Sequence, residues 1–264
     1  MLQIQDEVEK LKKKLRLPTD DQLPVYLLRP QDRVAPSEVL RSALFGIGSR
    51  KKRGELTERP IFVHGETKIT YTGHQLDQGD LDVFMAAIKM AYDNDKTFEM
   101  KCSMHVFQQM LGLTPGKSGR DRIKSSFKRL TTGTIAIKNS KYYYYGHLVD
   151  SFLLDREKNT YTLMLNPKLS QLFRDGYTRI DWEIRRKLRS DLGRRLQALV
   201  LSHEAPIDRP QRYTMGTLMK LCCCTDSDER RFKARIRRNM RTLETEGQIR
   251  NWTLQKSVLS YTRD

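Results

Sequence analysis

An α+β protein built on one unit used twice follows from three features of this sequence. Apolar residues recur at helical spacing in two segments, one near the middle and one near the C-terminus. The opposite face of each segment is basic, and strand-forming residues around a short turn come after it. Among 264 residues, 49 Lys and Arg stand against 32 Asp and Glu, a net charge of +17, with a pI of about 9.8. That balance favours a polyanionic partner, and 38% apolar residues suffice for two cores. No apolar run approaches the roughly 18 residues of a membrane span, and MLQIQDEVEKLKKKLRL lacks a signal-peptide core. The protein is therefore expected in the cytosol, with no membrane partner.

Leu2, Ile4, Val8, Leu11 and Leu15 predict a short amphipathic N-terminal helix ending at Pro18. Pro24, Pro30 and Pro36 punctuate an extended stretch, and GIGSRKKRGE reads as a basic linker, so residues 1–59 are taken as helix and linker. IFVHGETKITYTG offers two strands around His64 to Glu66, and Asp77 to Tyr92 an apolar helix through Leu81, Phe84, Met85 and Ile88. SMHVFQQML, with Met104, Phe107 and Leu111 at helical spacing, reads as another helix. The Gly-rich turn LGLTPGKSG then raises the question of a phosphate cradle. A P-loop places four residues before its Gly-Lys pair, whereas only Leu113, Thr114 and Pro115 separate Gly112 from Gly116, and a helix precedes in place of a buried strand. Ser118 with Asp121 instead resembles a capping box, which makes GKS a helix start.

In that helix Ile123, Phe127 and Leu130 form one stripe, while Arg122, Lys128 and Arg129 lie opposite with Ser125 between them and Lys124 alongside. It ends at Thr131 to Gly133, and TIAIKNSKYYYYGHLVDSF supplies a hairpin around KNSK. LNPKLSQLFRDG reads as a short helix and IDWEIRRKLRSDLGRRLQALVLSHEAP as a longer one. The arrangement then returns. TMGTLMKLCC is a short helix capped by Thr214, Asp226 and Glu229 give a box-like start, and Phe232, Ile236, Met240 and Leu243 form the apolar stripe. Arg230, Arg231, Arg237, Arg238 and Arg241 fall on the far face around Ala234, Gly247 ends the helix, and QIRNWTL with SVLSYT closes a hairpin. Ile123, Phe127 and Leu130 match Ile236, Met240 and Leu243 at a constant offset, with one extra residue before the strand in the second copy. Helix, turn, basic helix and hairpin describe a winged helix-turn-helix, so residues 60–176 and 177–264 are expected as tandem winged domains. The second helix of such a unit enters a major groove while the wing touches backbone, so the basic residues named above are the candidate DNA contacts.

Cys102, Cys222, Cys223 and Cys224 lack the spacing of a zinc knuckle, and the five histidines are scattered singly, so neither metal nor other cofactor is expected. Tyr142 to Tyr145 supply both faces of a strand, or stack exposed bases of a melted strand, since alternate side chains point oppositely. A DNA-nicking relaxase or rolling-circle initiator would attack through such a tyrosine, but the His-hydrophobe-His metal motif of those enzymes is missing. Catalysis is not expected.

RSALF (41–45), ITYTGHQLDQGDLDVFMAAI, the GKS turn leading to SFKRL, and YTLMLNPKLSQLF followed by IDW together resemble the TrfA-like replication initiators of bacterial plasmids. They span the chain from Arg41 to about Leu201. The resemblance implies binding to duplex direct repeats (iterons) at a plasmid origin and opening of an adjacent A+T-rich element; single-stranded A+T-rich DNA is a further candidate partner. It further implies recruitment of host initiator, replicative helicase and sliding clamp, a monomer to homodimer balance in copy control, and a bacterial cytoplasmic setting. RSALF and LSQLF both end in the Leu-Phe pair of clamp-docking peptides; Leu44 and Phe45, in the linker, are the candidate partner contact, whereas Leu172 and Phe173 belong to an amphipathic helix. A winged-helix transcriptional regulator remains the alternative that residues alone do not separate from an initiator.

Overall fold

The computed structural model describes residues 22–48, 53–155, 157–158, 160–203, 209–224 and 228–264. The expected N-terminal helix, residues 49–52 of the basic stretch, and Asp226 lie outside them.

The chain enters the first core at once. Strand β1 (Asp32–Pro36) is wholly buried and leads into a single turn, α1 (Ser37–Leu40). A two-residue strand β2 (Phe45–Gly46) follows. Leu23, Val25, Val34, Val39, Leu40, Leu44 and Phe45 are all at most 2% exposed. This corrects the reading of residues 22–48 as linker: the prolines punctuate turns between buried pieces. Strands β3 (Glu55–Ile61) and β4 (Lys68–His74) form a hairpin around the expected turn, but β3 lies mostly in residues 55–59, which were expected as linker; β5 (Leu76–Asp77) pairs with β2. Helix α2 (Gln78–Asp93) starts on a reciprocal capping box: Asp77 Oδ1 accepts from the amides of Gly79 and Asp80, and Asp80 Oδ2 from that of Asp77.

Then come β6 (Glu99–Cys102), α3 (Met104–Met110) and α4 (Lys117–Thr132), the helix-turn-helix. The following hairpin, β7 (Thr134–Lys138) and β8 (Tyr143–Gly146), extends the β3–β4 pair into a four-stranded sheet, ordered β3-β4-β7-β8. The wing is the next hairpin, β9 (Val149–Asp155) and β10 (Thr160–Leu165), whose sheet runs β6-β10-β9. Helix α5 (Leu169–Arg174) and strand β11 (Tyr177–Asp181), antiparallel to β1, complete the first core.

Helices α6 (Trp182–Lys187) and α7 (Asp191–Leu201) lead to β12 (Gln211–Thr214), α8 (Met215–Cys222), α9 (Glu229–Thr245), β13 (Ile249–Gln255) and β14 (Val258–Arg263), with sheet order β12-β14-β13. Helix, strand, two helices and two strands, with the last strand central, therefore occur twice. The tandem winged architecture is as expected, but the equivalence of its hairpins is not. Residues 133–148 separate α4 from its wing, against 246–248 after α9, so β7–β8 is an insertion and the expected one-residue difference is wrong. Strand β11, which the expected boundary near Gly176 had put with the second unit, belongs to the first core; the second core's residues start at Leu188 after Trp182, while Ala198 of α7 still packs in the first.

Candidate nucleic-acid interface

In α4, Ile123, Phe127 and Leu130 are buried as the stripe requires. Phe127 stacks on Phe152 of β9 at 4.7 Å and meets Phe107 of α3 edge-on at 5.2 Å. Burying each such side chain is worth about 1.5–3 kcal/mol, which fixes the helix by its apolar face and turns Lys124, Ser125 and Lys128 to solvent with Lys117 and Arg120. Two expectations fail here. The helix begins on Gly116 with no side-chain cap, so Ser118 already lies inside it; the turn before it is tied to α3 by Gln108 Nε2, which donates to Gly116 O at 3.0 Å. Arg129 does not face a ligand, because Nη2 donates to Asp80 Oδ1 at 2.6 Å and Nε to the same carboxylate at 3.1 and 3.2 Å. Arg122 is half-buried, and with Arg186, Lys187 and Arg189 it lines a cleft of about 550 Å³ between α2, α4 and α6.

In α9, Phe232, Ile236, Asn239, Met240 and Leu243 are buried, and Gly247 at φ 64° closes the end. The cap is Asp228, whose carboxylate accepts from Arg231 N at 3.1 Å, in place of Asp226. Arg230, Arg231, Arg237, Arg238 and Arg241 are all exposed on one face. None of them makes an ion pair among the described residues. Four arginines that pack against α2 are by contrast paired: Arg53 and Arg129 share Asp80, Arg185 and Arg194 share Asp82. Five forked donors left without carboxylates form a surface suited to phosphate oxygens and guanine edges.

The wing beside α9 is tied to it at two points that the sequence did not reveal. Lys233 Nζ donates to Ser257 Oγ at 2.7 Å and that hydroxyl to Glu229 Oε1 at 2.9 Å, while Trp252 Nε1 donates to Glu244 Oε2 at 2.9 Å. Lys256 and Ser257 hold left-handed φ of 43° and 64°, the two-residue turn that matches strand twist. The Lys-Ser pair between two strand-like runs was the available signal for this wing tip.

Leu44 and Phe45 are each 2% exposed, and Phe45 O accepts from Gln78 Nε2 at 2.6 Å, so they pack the first core and are not a presented peptide. No three metal-ligating side chains converge among the described residues, and no described helix is long and apolar enough to cross a membrane.

The family described as Initiator Replication protein, WH1, matches residues 63–200, just over half of the chain. This chain is a member of that replication-initiator family. Its matched span lies within the stretch from Arg41 to Leu201 that resembles the TrfA-like initiators, and covers the first winged unit of the initiator with α6 and most of α7. No curated protein matches the initiator by sequence. Among solved structures, domains 2 and 3 of RctB, as selenomethionine derivatives, are similar at TM-score 0.61 and 14% identity, over 87% of this chain and 99% of that one. Another structure of RctB domains 2 and 3 gives 0.51 and 14%, over 83% and 95%. The Pi initiator protein in complex with iteron DNA gives 0.49 and 13%, over 70% and 94%. The RctB likeness extends through both winged units and bears on the fold.

Proposed function

We propose that this replication initiator binds duplex direct repeats at a plasmid origin, with α4 and α9 in major grooves and the β13–β14 wing against backbone, and opens adjacent A+T-rich DNA without catalysis. The unpaired arginine face of α9 carries the reading. Bending an origin site costs on the order of 1–6 kcal/mol, and each bidentate Arg–guanine contact returns about 1–3 kcal/mol, so a few contacts from one helix offset the deformation. Opening then needs no covalent step. The recruitment of host initiator, helicase and sliding clamp, and a monomer–homodimer balance, rest on the family resemblance; Leu44 and Phe45 have no part in the clamp contact.

Supplying the gene in trans to a plasmid that carries only the origin region tests the reading. Replication that is lost when Arg237 and Arg238 are both changed to Ala supports it. Promoter regulation with no replication from the origin would overturn initiation in favour of a regulator.

A further inference from the structure

The β7–β8 insertion has no counterpart in the second winged unit, so winged-helix folding does not account for it. Through the pairing of β4, β7 and β8 it builds a sheet with two unlike faces. Ile69, Ile137 and Tyr144 share one cross-strand row and are buried against the core, with Tyr144 Oη donating to His147 O at 2.6 Å. The neighbouring rows face the other way. One contains Lys68, Lys138 and Tyr143; the other contains Pro60, Thr70, Ala136 and Tyr145. Tyr143 and Tyr145 are 64% and 67% exposed, and their rings stand 6.5 Å apart at a 38° tilt. Lys68 and Lys138 are exposed and make no ion pair among the described residues, and these two rows contain no carboxylate.

We infer that this open sheet face is a binding platform for unpaired nucleotides, in which Tyr143 and Tyr145 stack successive bases and Lys68 and Lys138 contact the phosphates. Small residues beside the rings, Thr70 and Ala136, let bases lie flat against the sheet, and edge strand β8 leaves the strand's path open on one side. Exposed aromatic pairs on a four-stranded sheet take single strands because every base has a π-face, whereas stacked bases in a duplex present none. The charge is complementary to a phosphodiester chain and offers nothing to an acid-poor protein surface. The platform lies apart from the α9 face, so it goes beyond duplex recognition while resting on the initiator reading for its source of unpaired DNA.

The full chain is titrated with fluorescein-labelled oligothymidylate about 20 nucleotides long and with a random duplex of the same length. Tyr143→Ala/Tyr145→Ala should weaken single-strand binding about tenfold or more, leaving duplex affinity and the thermal midpoint unchanged, while Tyr143→Phe/Tyr145→Phe keeps wild-type binding because stacking needs the ring and not the hydroxyl. Photocrosslinking of a 5-iododeoxyuridine strand to the wild-type protein should map to Tyr143 or Tyr145. Unchanged single-strand affinity in the Ala variant, a parallel loss of duplex binding, or crosslinks elsewhere alone would overturn the assignment. So would a variant that dissociates a dimer in sedimentation while its nucleotide affinity stays intact, since the face would then be an interface between copies. Failure of duplex binding in the wild type would instead sink the origin-binding reading and leave this one standing.

Discussion

Asp80 is fully buried and accepts hydrogen bonds from Arg129, from Arg53 at 2.7 Å and from the amide of Asp77 at 3.1 Å. Burial opposes its ionisation, but the bonds and charge of Arg129, with the charge of Arg53, outweigh that and hold its carboxyl below the ordinary value. A depressed carboxylate contributes stability that is fully present above its unfolded value and is lost as pH falls through the folded one. Removing one partner of such a buried group costs about 3–5 kcal/mol, against about 0.5 kcal/mol or less for an exposed side chain. Arg129→Ala should therefore lower the urea midpoint sharply where Lys128→Ala does not; equal midpoints would return Arg129 to the DNA-facing set. His203 works in a different window. Burial first, then the charges of His64, Arg41 and Arg195, push its pKa from 6.5 down to about 4, so between those values the unfolded chain takes up a proton that the folded one refuses. Stability falls as pH drops from 6.5 towards 4. His203→Gln should remove that component of the thermal melting profile and leave the carboxylate-driven loss at lower pH; an unaltered slope above pH 4 would show that His203 does not couple to folding.

Helices α4 and α9 share a stripe but differ in what opposes it. Among the described residues, α9 presents five unpaired arginines, whereas α4 spends Arg129 on Asp80 and offers mainly lysines, Lys117, Lys124 and Lys128, with Arg120. Arginine reads guanine through two parallel bonds, and lysine acts as a point charge. Arg237→Ala and Arg238→Ala should each cost about 1–3 kcal/mol on the specific site and relax sequence preference, while Lys128→Ala should weaken specific and random duplex alike and lower the salt slope by about one. Affinities over a salt series decide it: discrimination abolished by Lys128→Ala but kept in both arginine variants would reverse the roles. The stripes, the Thr214 cap and the Gly247 stop were legible because each is set by residues within a turn or two. The wing of the first unit was not, because strand composition is local while pairing is not: TIAIK and YYYG look like a wing, yet β7 pairs with β4 far back along the chain, Lys138 opposite Lys68, beyond the reach of periodicity. Arg129 was misjudged for the same reason, its carboxylate lying 49 residues away in α2.

Between the two winged units the joint is made by a charge with no carboxylate. Arg195 of α7 is 1% exposed and donates through Nη1 to Leu40 O at 2.6 Å and through Nη2 to Ser42 O at 2.8 Å in the first core, and through Nε to Leu221 O at 3.0 Å in the second. Burial works against its ionisation and lowers its pKa, so the three carbonyls have to compensate; a backbone bond from Ile47 N to Cys222 O at 2.9 Å adds to the joint. Arg185, from Nε to Asp82 at 2.6 Å, and Arg194, at 3.1 Å to the same carboxylate, fasten α6 and α7 to α2 nearby. Together these contacts set the spacing of α4 from α9. A rigid spacing lets the second helix bind at high effective concentration once the first is seated, an advantage that a loose joint forfeits. Arg195→Met keeps length and apolar volume but strips three buried carbonyls of their donor, at about 1–3 kcal/mol each. Because that loss falls on the joint and spares both cores, calorimetry should show one transition for the wild type and two for the variant, and affinity for origin repeats should fall further than affinity for random duplex. One unbroken transition with undiminished preference for the repeats would mean that the two units are held in register by something other than Arg195.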